Sequence, residues 1–458
     1  MRANGRFSSL QKTSVVVIGA GFAGMTAARM LARAGVSVTL LERRPFPGGR
    51  AFSFKDQATG QVLDNGQHVL LGCCQETVNL LDDLGLDEAV YFQKSLDLPV
   101  FSDGRWTRVY SQPGLPGPLH LLPGLIGYGA LTWAERLRAL PIAGAMLRAN
   151  LEHEHLDQQS FASWLATHHQ SERAIARLWD LVGVSIANCH ADRLSALEAI
   201  QAFRLGVLPG SLAVRLGFFT RPLGVLADQY LTHLKRLGVD VQCHATVERL
   251  LFDGDRVSGV EVGGRPIAAV GVIAAVPQEA LLRLLPPVFC SRSSGSPLGR
   301  ELPLSGILNW YLRFSEPVYD GTLFAMAGGL SPFVFNRGRL MQAGGREDGR
   351  LLAISVSDAP LASQAQRTSA LASLREELAK ALPLTNSVPL LGQKVVVQPK
   401  ATFRAGPGQR PCRLGTKSGL SGLWLAGDWT DTGWPASLEG AIRSGMTASR
   451  AALVEMSG

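Results

Sequence analysis

Apolar, strand-like runs lie near both ends of the chain, and longer helical stretches separate them. The run 15–18 leads straight into Gly19-Ala20-Gly21-Phe22-Ala23-Gly24, a helical stretch continues to Gly35, and a second strand, 36–41, ends on Glu42. Two glycine turns, at Gly48-Gly49 and at Gly66, flank an expected hairpin. From 96 to 214 the text turns helical, with 161–165 and 175–182 among its segments. Near 219 the opening style returns, with a helix to 237–238, strands at 239–243, 247–252 and 257–262, and a closing run at 270–277. Strand-like alternation at 307–314 and 351–356 lies within the excursion 291–414, before the strand 423–426 and a helix over 437–454. Without an internal repeat or low-complexity linker, the two kinds of text read as interleaved domains: 1–95, 215–290 and 415–458 against 96–214 and 291–414.

The first βαβ unit carries its own chemistry. Gly19 permits a tight turn, Gly21 lets the backbone approach a pyrophosphate, and Gly24 lets the helix lie close to the strand. Phe22 and Ala23 open that helix, whose amino terminus presents partial positive charge to phosphate. Glu42, eighteen residues past Gly24, is placed for ribose hydroxyls, with Arg43 beside it. A carboxylate there disfavours a 2′-phosphate. Strand, spacing and terminal acid together make this a dinucleotide fingerprint.

At 458 residues with 46% hydrophobic content, the chain can fill more than one core. Its net charge is +8 and its pI about 9.4. The basic residues are scattered, with pairs such as Arg43-Arg44 and Lys235-Arg236 but no basic run or aromatic platform, so no nucleic-acid partner is expected. Six cysteines, none in a C-x-x-C pair, favour neither a disulfide framework nor a metal site, and fit a reducing, cytoplasmic setting. The first thirteen residues are polar and give no support for export. The stretch 111–134 is uncharged and long enough to span a bilayer, but its prolines and glycines make a continuous spanning helix poor. Segment 131–147 alternates Trp133, Leu137, Leu140 and Met146 with Arg136 and Arg138, which suits either a membrane interface or a helix pair in a cap.

The acid Asp428, at a strand end far from the fingerprint, points to a long bent cofactor with a second anchor. Its carboxylate can accept from ribityl hydroxyls, while the helix starting near Ser437 aims N–H groups at a flavin carbonyl that gains negative charge on reduction. The set Gly19-x-Gly21-x-x-Gly24, Glu42, Gly48-Gly49-Arg50, Asp64-x-Gly66 and Leu425-Ala426-Gly427-Asp428 resembles the FAD-dependent amine oxidase and phytoene desaturase superfamily. More narrowly, residues 64–72 and 426–441 look like the hydroxysqualene dehydroxylases of hopanoid biosynthesis. The resemblance implies an α/β fold in which a Rossmann-like FAD-binding domain is interleaved with an α+β substrate-binding domain. It places Arg50 near the pyrophosphate, Gly66, Gln67, His68 and Val69 along the isoalloxazine, the backbone of Val247 by the adenine, and Gly427, Asp428, Ala436, Ser437 and Leu438 at the second anchor. It also implies reductive loss of an allylic hydroxyl from hydroxysqualene, an external electron donor, and a protein peripheral on the inner membrane.

His68, with an ordinary pKa near 6.5, is the local candidate for the acid that helps the hydroxyl leave, unless it merely bonds a backbone carbonyl. Asp64 is either catalytic or turn-fixing. Trp429 and Trp434 either wall the substrate end, with ring faces toward positive charge, or pack the joint. Three rivals remain: a carotenoid-type desaturase, an amine oxidase, for which no lysine stands in a matching context, and a prenyl-binding protein without chemistry.

Overall fold

The computed structural model describes residues 14–57, 59–286, 301–341, 348–360 and 363–457; the first thirteen residues, Cys290 and the expected boundary at 290/291 lie outside these. The apolar runs assemble into one parallel five-stranded sheet ordered Asp240–Gln242, Ser37–Leu41, Ser14–Ile18, Gly271–Ala274, Leu423–Leu425. Val15, Val17 and Leu40 face one side and Val16, Ile18 and Leu41 the other, and all are buried. Burial on both faces explains why these strands read as continuous apolar runs rather than alternating ones.

The helices Phe22–Arg33 and Leu438–Ser457 pack together on one face. Their backbones approach so closely that a Cβ on Gly445 would stand 2.2 Å from the Ala23 carbonyl. The two ends of the chain are therefore joined in one layer.

A second, seven-stranded sheet runs Leu390–Phe403, Leu304–Phe314, Leu351–Ser357, Phe333–Asn336, Leu323–Met326, Asp97–Ser102, Arg105–Tyr110. The last pair corrects the helical expectation for the start of 96–214. Arg105, Thr107 and Val109 alternate with Trp106, Arg108 and Tyr110 across a tight turn in which Asp103 and Gly104 take positive φ. The rest of that stretch is helical. It includes a π-helical turn, Ile175–Trp179, between Glu172–Ala174 and Asp180–Ala187.

Over 111–148 the chain forms a 3-10 turn, Gly117–Leu121, and three short helices, Leu122–Gly127, Trp133–Ala139 and Ile142–Arg148, with Pro141 at the last break. Leu119, Ile126, Trp133, Leu137, Leu140 and Leu147 are exposed, whereas Met146, expected on the same face, is buried. Among the described residues no helix is long and apolar enough to cross a membrane.

Candidate functional site

The fingerprint turn is built as a crossing of two glycine loops. Gly48 donates its N–H to the Ala20 carbonyl at 2.8 Å, and Gly21 bridges Gly48. A Cβ on Gly24 would stand 1.9 Å from the Gly19 carbonyl oxygen, and one on Gly49 would stand 3.1 Å from the Gly21 Cα. The helix Phe22–Arg33 begins at Gly21 with no side-chain cap and no acidic residue in its first turn. Its leading N–H groups are thus available to an anionic ligand, the arrangement a pyrophosphate needs.

Glu42 is buried and accepts from the Ala20 N–H at 2.8 Å and the Arg44 N–H at 2.9 Å, one bond to each oxygen. Each oxygen retains a lone pair for a ribose hydroxyl. Arg43 is exposed at this strand end; its neighbour Arg44 donates to the Gly49 carbonyl at 2.8 Å and ties the strand end to the second glycine loop. Val247 opens the strand Val247–Asp253 at a register shift, where the ladder is interrupted.

At the other anchor Gly427 takes φ +136° and donates to Ser444 Oγ at 2.8 Å. Asp428 is buried and pairs with Arg50, whose guanidinium also donates to the Ala401 carbonyl at 3.0 Å. Ser437 Oγ accepts from the Gly440 N–H at 3.1 Å, an N-cap that leaves the Leu438 and Glu439 N–H groups without intrahelical acceptors. Ala436 packs against the core between them. The turn 430–434 is clamped from outside. Arg413, itself buried, donates to the carbonyls of Thr430 at 3.0 Å and Trp434 at 2.7 Å and ion-pairs with Glu198, while Gln201 donates to the Gly433 carbonyl at 2.6 Å. Trp429 is buried and donates to the Val276 carbonyl at 2.9 Å. The Trp434 ring already carries the Arg443 guanidinium, 4.7 Å from its centroid, so that face is not open to a substrate cation.

Residues 64–69 run between the short strands Val62–Asp64 and Val69–Leu71 and meet the second sheet at Tyr311 and Arg337. Asp64 has both oxygens engaged: Oδ1 accepts from Ser53 Oγ at 2.6 Å and the Leu223 N–H at 3.0 Å, and Oδ2 pairs with Arg337. Both side chains are almost wholly buried, at 1% and 2% exposure. Held at both oxygens, this carboxylate fixes the turn, the second of its two expected roles. Arg337 also donates to Gln67 Oε1 at 3.1 Å, and Gln67 Nε2 donates to the His68 carbonyl at 3.2 Å. His68 Nδ1 lies 3.0 Å from the Gly66 carbonyl, so Nδ1 carries the hydrogen and Nε2 is left as an acceptor. Burial, with Arg337 adding to it, holds this imidazole below its usual range and therefore neutral. As placed, His68 is a hydrogen-bond acceptor first and a proton donor only after it is charged. Val69 leaves the turn on the strand Val69–Leu71, which pairs with Leu216–Phe219.

The residues thus divide into a fingerprint loop, a carboxy-terminal anchor, and a polar knot around Asp64. Arg44, Arg337, Arg413 and Glu198 escaped sequence reading, because arginines in short turns and a lone glutamate on a helix carry no motif. An FAD-shaped demand fits what is present: free N–H groups at the amino termini of both anchor helices, glycines whose Cβ atoms would collide, and a buried carboxylate with lone pairs to spare.

Comparison with known proteins bears out the flavin cofactor. The sequence profile of the flavin containing amine oxidoreductases matches residues 22–453. The chain is 28% identical over 95% of its length to the hydroxysqualene dehydroxylase of Rhodopseudomonas palustris, covering 97% of that protein. It is 26% identical over 95% of its length to the 15-cis-phytoene desaturase of Arabidopsis thaliana, covering 79% of that protein. In architecture it is similar to an oxidoreductase from Methanosarcina mazei, with a TM-score of 0.72, 19% identity, and coverage of 95% of this chain and 100% of the other.

Proposed function

Because the chain belongs to the flavin containing amine oxidoreductases and is an FAD-dependent oxidoreductase, we propose that it reductively removes the allylic hydroxyl of hydroxysqualene to give squalene. The observation that carries this reading is similarity at 28% identity to a hydroxysqualene dehydroxylase along nearly the whole of both chains. FAD, when bound, supplies hydride chemistry to a carbon centre, with its electrons replenished by an external donor.

The protein's own residues do the rest. The glycine crossing, Glu42 and the Asp428 turn hold the cofactor at its two ends. The Asp64–Arg337 pair fixes the turn 64–69 against the second sheet, so that Gly66 to Val69 run along one rigid edge. The leaving hydroxyl takes a proton and departs as water. His68 Nε2, an acceptor, orients that hydroxyl in the neutral state and carries the proton in the charged state. The hydrocarbon needs little polar recognition, since each buried methylene contributes about 0.8 kcal/mol.

We place the substrate's entry at the exposed apolar face of Trp133, Leu137 and Leu140, beside Arg136 and Arg138. Such a face, with cations at its rim, suits an anionic lipid surface, and this supports peripheral contact with the inner membrane from a cytoplasmic protein.

A second reading, a carotenoid-type desaturase, rests on two specific observations. His68 is set as a base rather than an acid, and similarity to a phytoene desaturase reaches 26% identity over the same share of the chain. The deciding experiment is anaerobic. Protein with chemically reduced FAD is mixed with hydroxysqualene, and flavin spectrum and lipid are followed together. Reoxidation with squalene formed establishes the dehydroxylase; no response, with bleaching of oxidised flavin by phytoene, establishes the desaturase.

A further inference from the structure

Arg413 is 5% exposed, and its guanidinium divides its hydrogen bonds between two partners. Nη1 donates to both Glu198 oxygens, at 3.3 and 3.0 Å, while Nη2 bridges the carbonyls of Thr430 at 3.0 Å and Trp434 at 2.7 Å. One helical turn on from Glu198, Gln201 donates to the Gly433 carbonyl at 2.6 Å. The helix Ala196–Gly206 thus holds the turn 430–434 through both residues. Phe203 fastens that helix in turn, with its ring centroid 5.8 Å from those of Phe161 and Trp179.

The turn spends its own polar groups. The N–H groups of residues 430–434 each find an acceptor, on Leu414 or within 427–432. Directly after it Ser437 caps the helix Leu438–Ser457, where the Leu438 and Glu439 N–H groups have no intrahelical acceptor. A fixed turn leading into two free donors sets the direction in which those donors point. A helix end acts on charge only within its first turn, so that direction decides what it contributes to a ligand.

Stability alone does not call for an arginine here. A well-packed apolar pair can replace a buried ion pair without loss, whereas a planar fork can hold a carboxylate and two carbonyls four residues apart at once. The Arg413 guanidinium also lies 4.8 Å from the centroid of the Phe403 ring, and Phe403 lines a cavity of about 100 Å³ with Trp429 and with Arg50, the partner of Asp428. Arg413 stands one ring away from that cavity and acts through the turn rather than by contact.

We propose that Arg413, with Gln201, is a positioning residue for the flavin: it sets the turn 430–434 so that the Leu438 and Glu439 N–H groups meet the ring carbonyl that gains negative charge on reduction, and thereby raises the flavin midpoint potential. The inference rests on FAD seated at the carboxy-terminal anchor and is independent of which isoprenoid reacts.

The test is a redox titration of FAD-loaded protein carrying Arg413→Met, Arg413→Lys or Gln201→Leu, with Leu438→Pro beside them. Proline is tolerated at the first helical position and deletes one of the two free N–H groups without touching the clamp. Arg413→Met should weaken binding of reduced relative to oxidised flavin about tenfold, a fall of about 30 mV for a two-electron couple. Arg413→Lys, which keeps the charge without the fork, should fall less. Gln201→Leu removes one neutral hydrogen bond and keeps the ion pair, so its smaller fall decides the matter if the Arg413 variants do not fold. Clamp variants with the parent's potential and only a lower urea stability would make Arg413 a structural strut and overturn the proposal. If Leu438→Pro alone lowers the potential, the anchor stands and the clamp assignment falls; if it too leaves the potential unchanged, the seat of FAD at this anchor falls as well.

Discussion

Replacing Arg337 by methionine isolates the ion pair that ties the turn at Asp64 to the second sheet. The substitution keeps an unbranched stem but removes a guanidinium that neutralises Asp64 and donates to Gln67. Breaking a buried ion pair by deleting one partner typically costs about 3–5 kcal/mol, because the remaining charge stays buried. Here Asp64 keeps two neutral donors, Ser53 Oγ and the Leu223 N–H, which moves the expected loss toward the lower end of that range. The lost bond to Gln67 adds about 1 kcal/mol, for a total of about 4 kcal/mol. Urea unfolding of FAD-loaded protein measures it, alongside Asp64→Asn and the double variant. If the two charges neutralise each other, the double variant is more stable than the sum of the single losses predicts, by about 1–3 kcal/mol. An Arg337→Met protein within about 1 kcal/mol of the parent, together with additive losses, would refute the claim that this pair ties the turn to the second sheet.

Three further outcomes follow from the same geometry. Gly24→Ala should purify without visible flavin absorbance, because its Cβ would stand 1.9 Å from a main-chain oxygen that cannot yield; a yellow variant with normal FAD content would contradict the fingerprint assignment. His190 bonds Asp180 across 3.3 Å, and that bond holds its imidazole above the usual range. The stability it contributes is therefore complete below the unfolded histidine value of about 6.5 and is lost as pH rises through the folded value, so His190→Phe should destabilise more at about pH 6 than at about pH 9. An equal loss at both would show that the pair is not linked to protonation. Trp133 and Leu137, 64% and 63% exposed, should anchor the lipid-facing surface; changing both to glutamate should abolish sedimentation with anionic vesicles while leaving FAD content unchanged, and undiminished sedimentation would remove that face from the account.

Local chemistry determined what the sequence by itself could reveal. A βαβ turn is encoded in neighbouring residues, so Gly19, Gly21, Gly24 and Glu42 announce their geometry over a short span, and Gly427-Asp428 does so at the other end. The amphipathic stretch at 131–147 was legible for the same reason, although Pro141 splits it and turns Met146 inward. The hairpin Asp97–Ser102/Arg105–Tyr110 was not, because its strands gain their meaning only as the edge of a sheet whose other members come some 220 residues later.

Tertiary structure alone decided the ion pair that holds the turn at 64. Asp64 and Arg337 are 273 residues apart, and neither context signals the other. Only their burial together shows that Asp64 and Arg337 hold each other across the chain. For His68 the sequence left two roles open, an acid or a partner of a backbone carbonyl; the Gly66 carbonyl two residues away takes Nδ1, and what the fold adds is the burial that holds the imidazole below its usual range. The physical reason is common to these cases. Backbone conformation is set by short-range sterics that sequence carries, whereas the state of a titratable or amide group depends on which distant atoms surround it after the chain has closed.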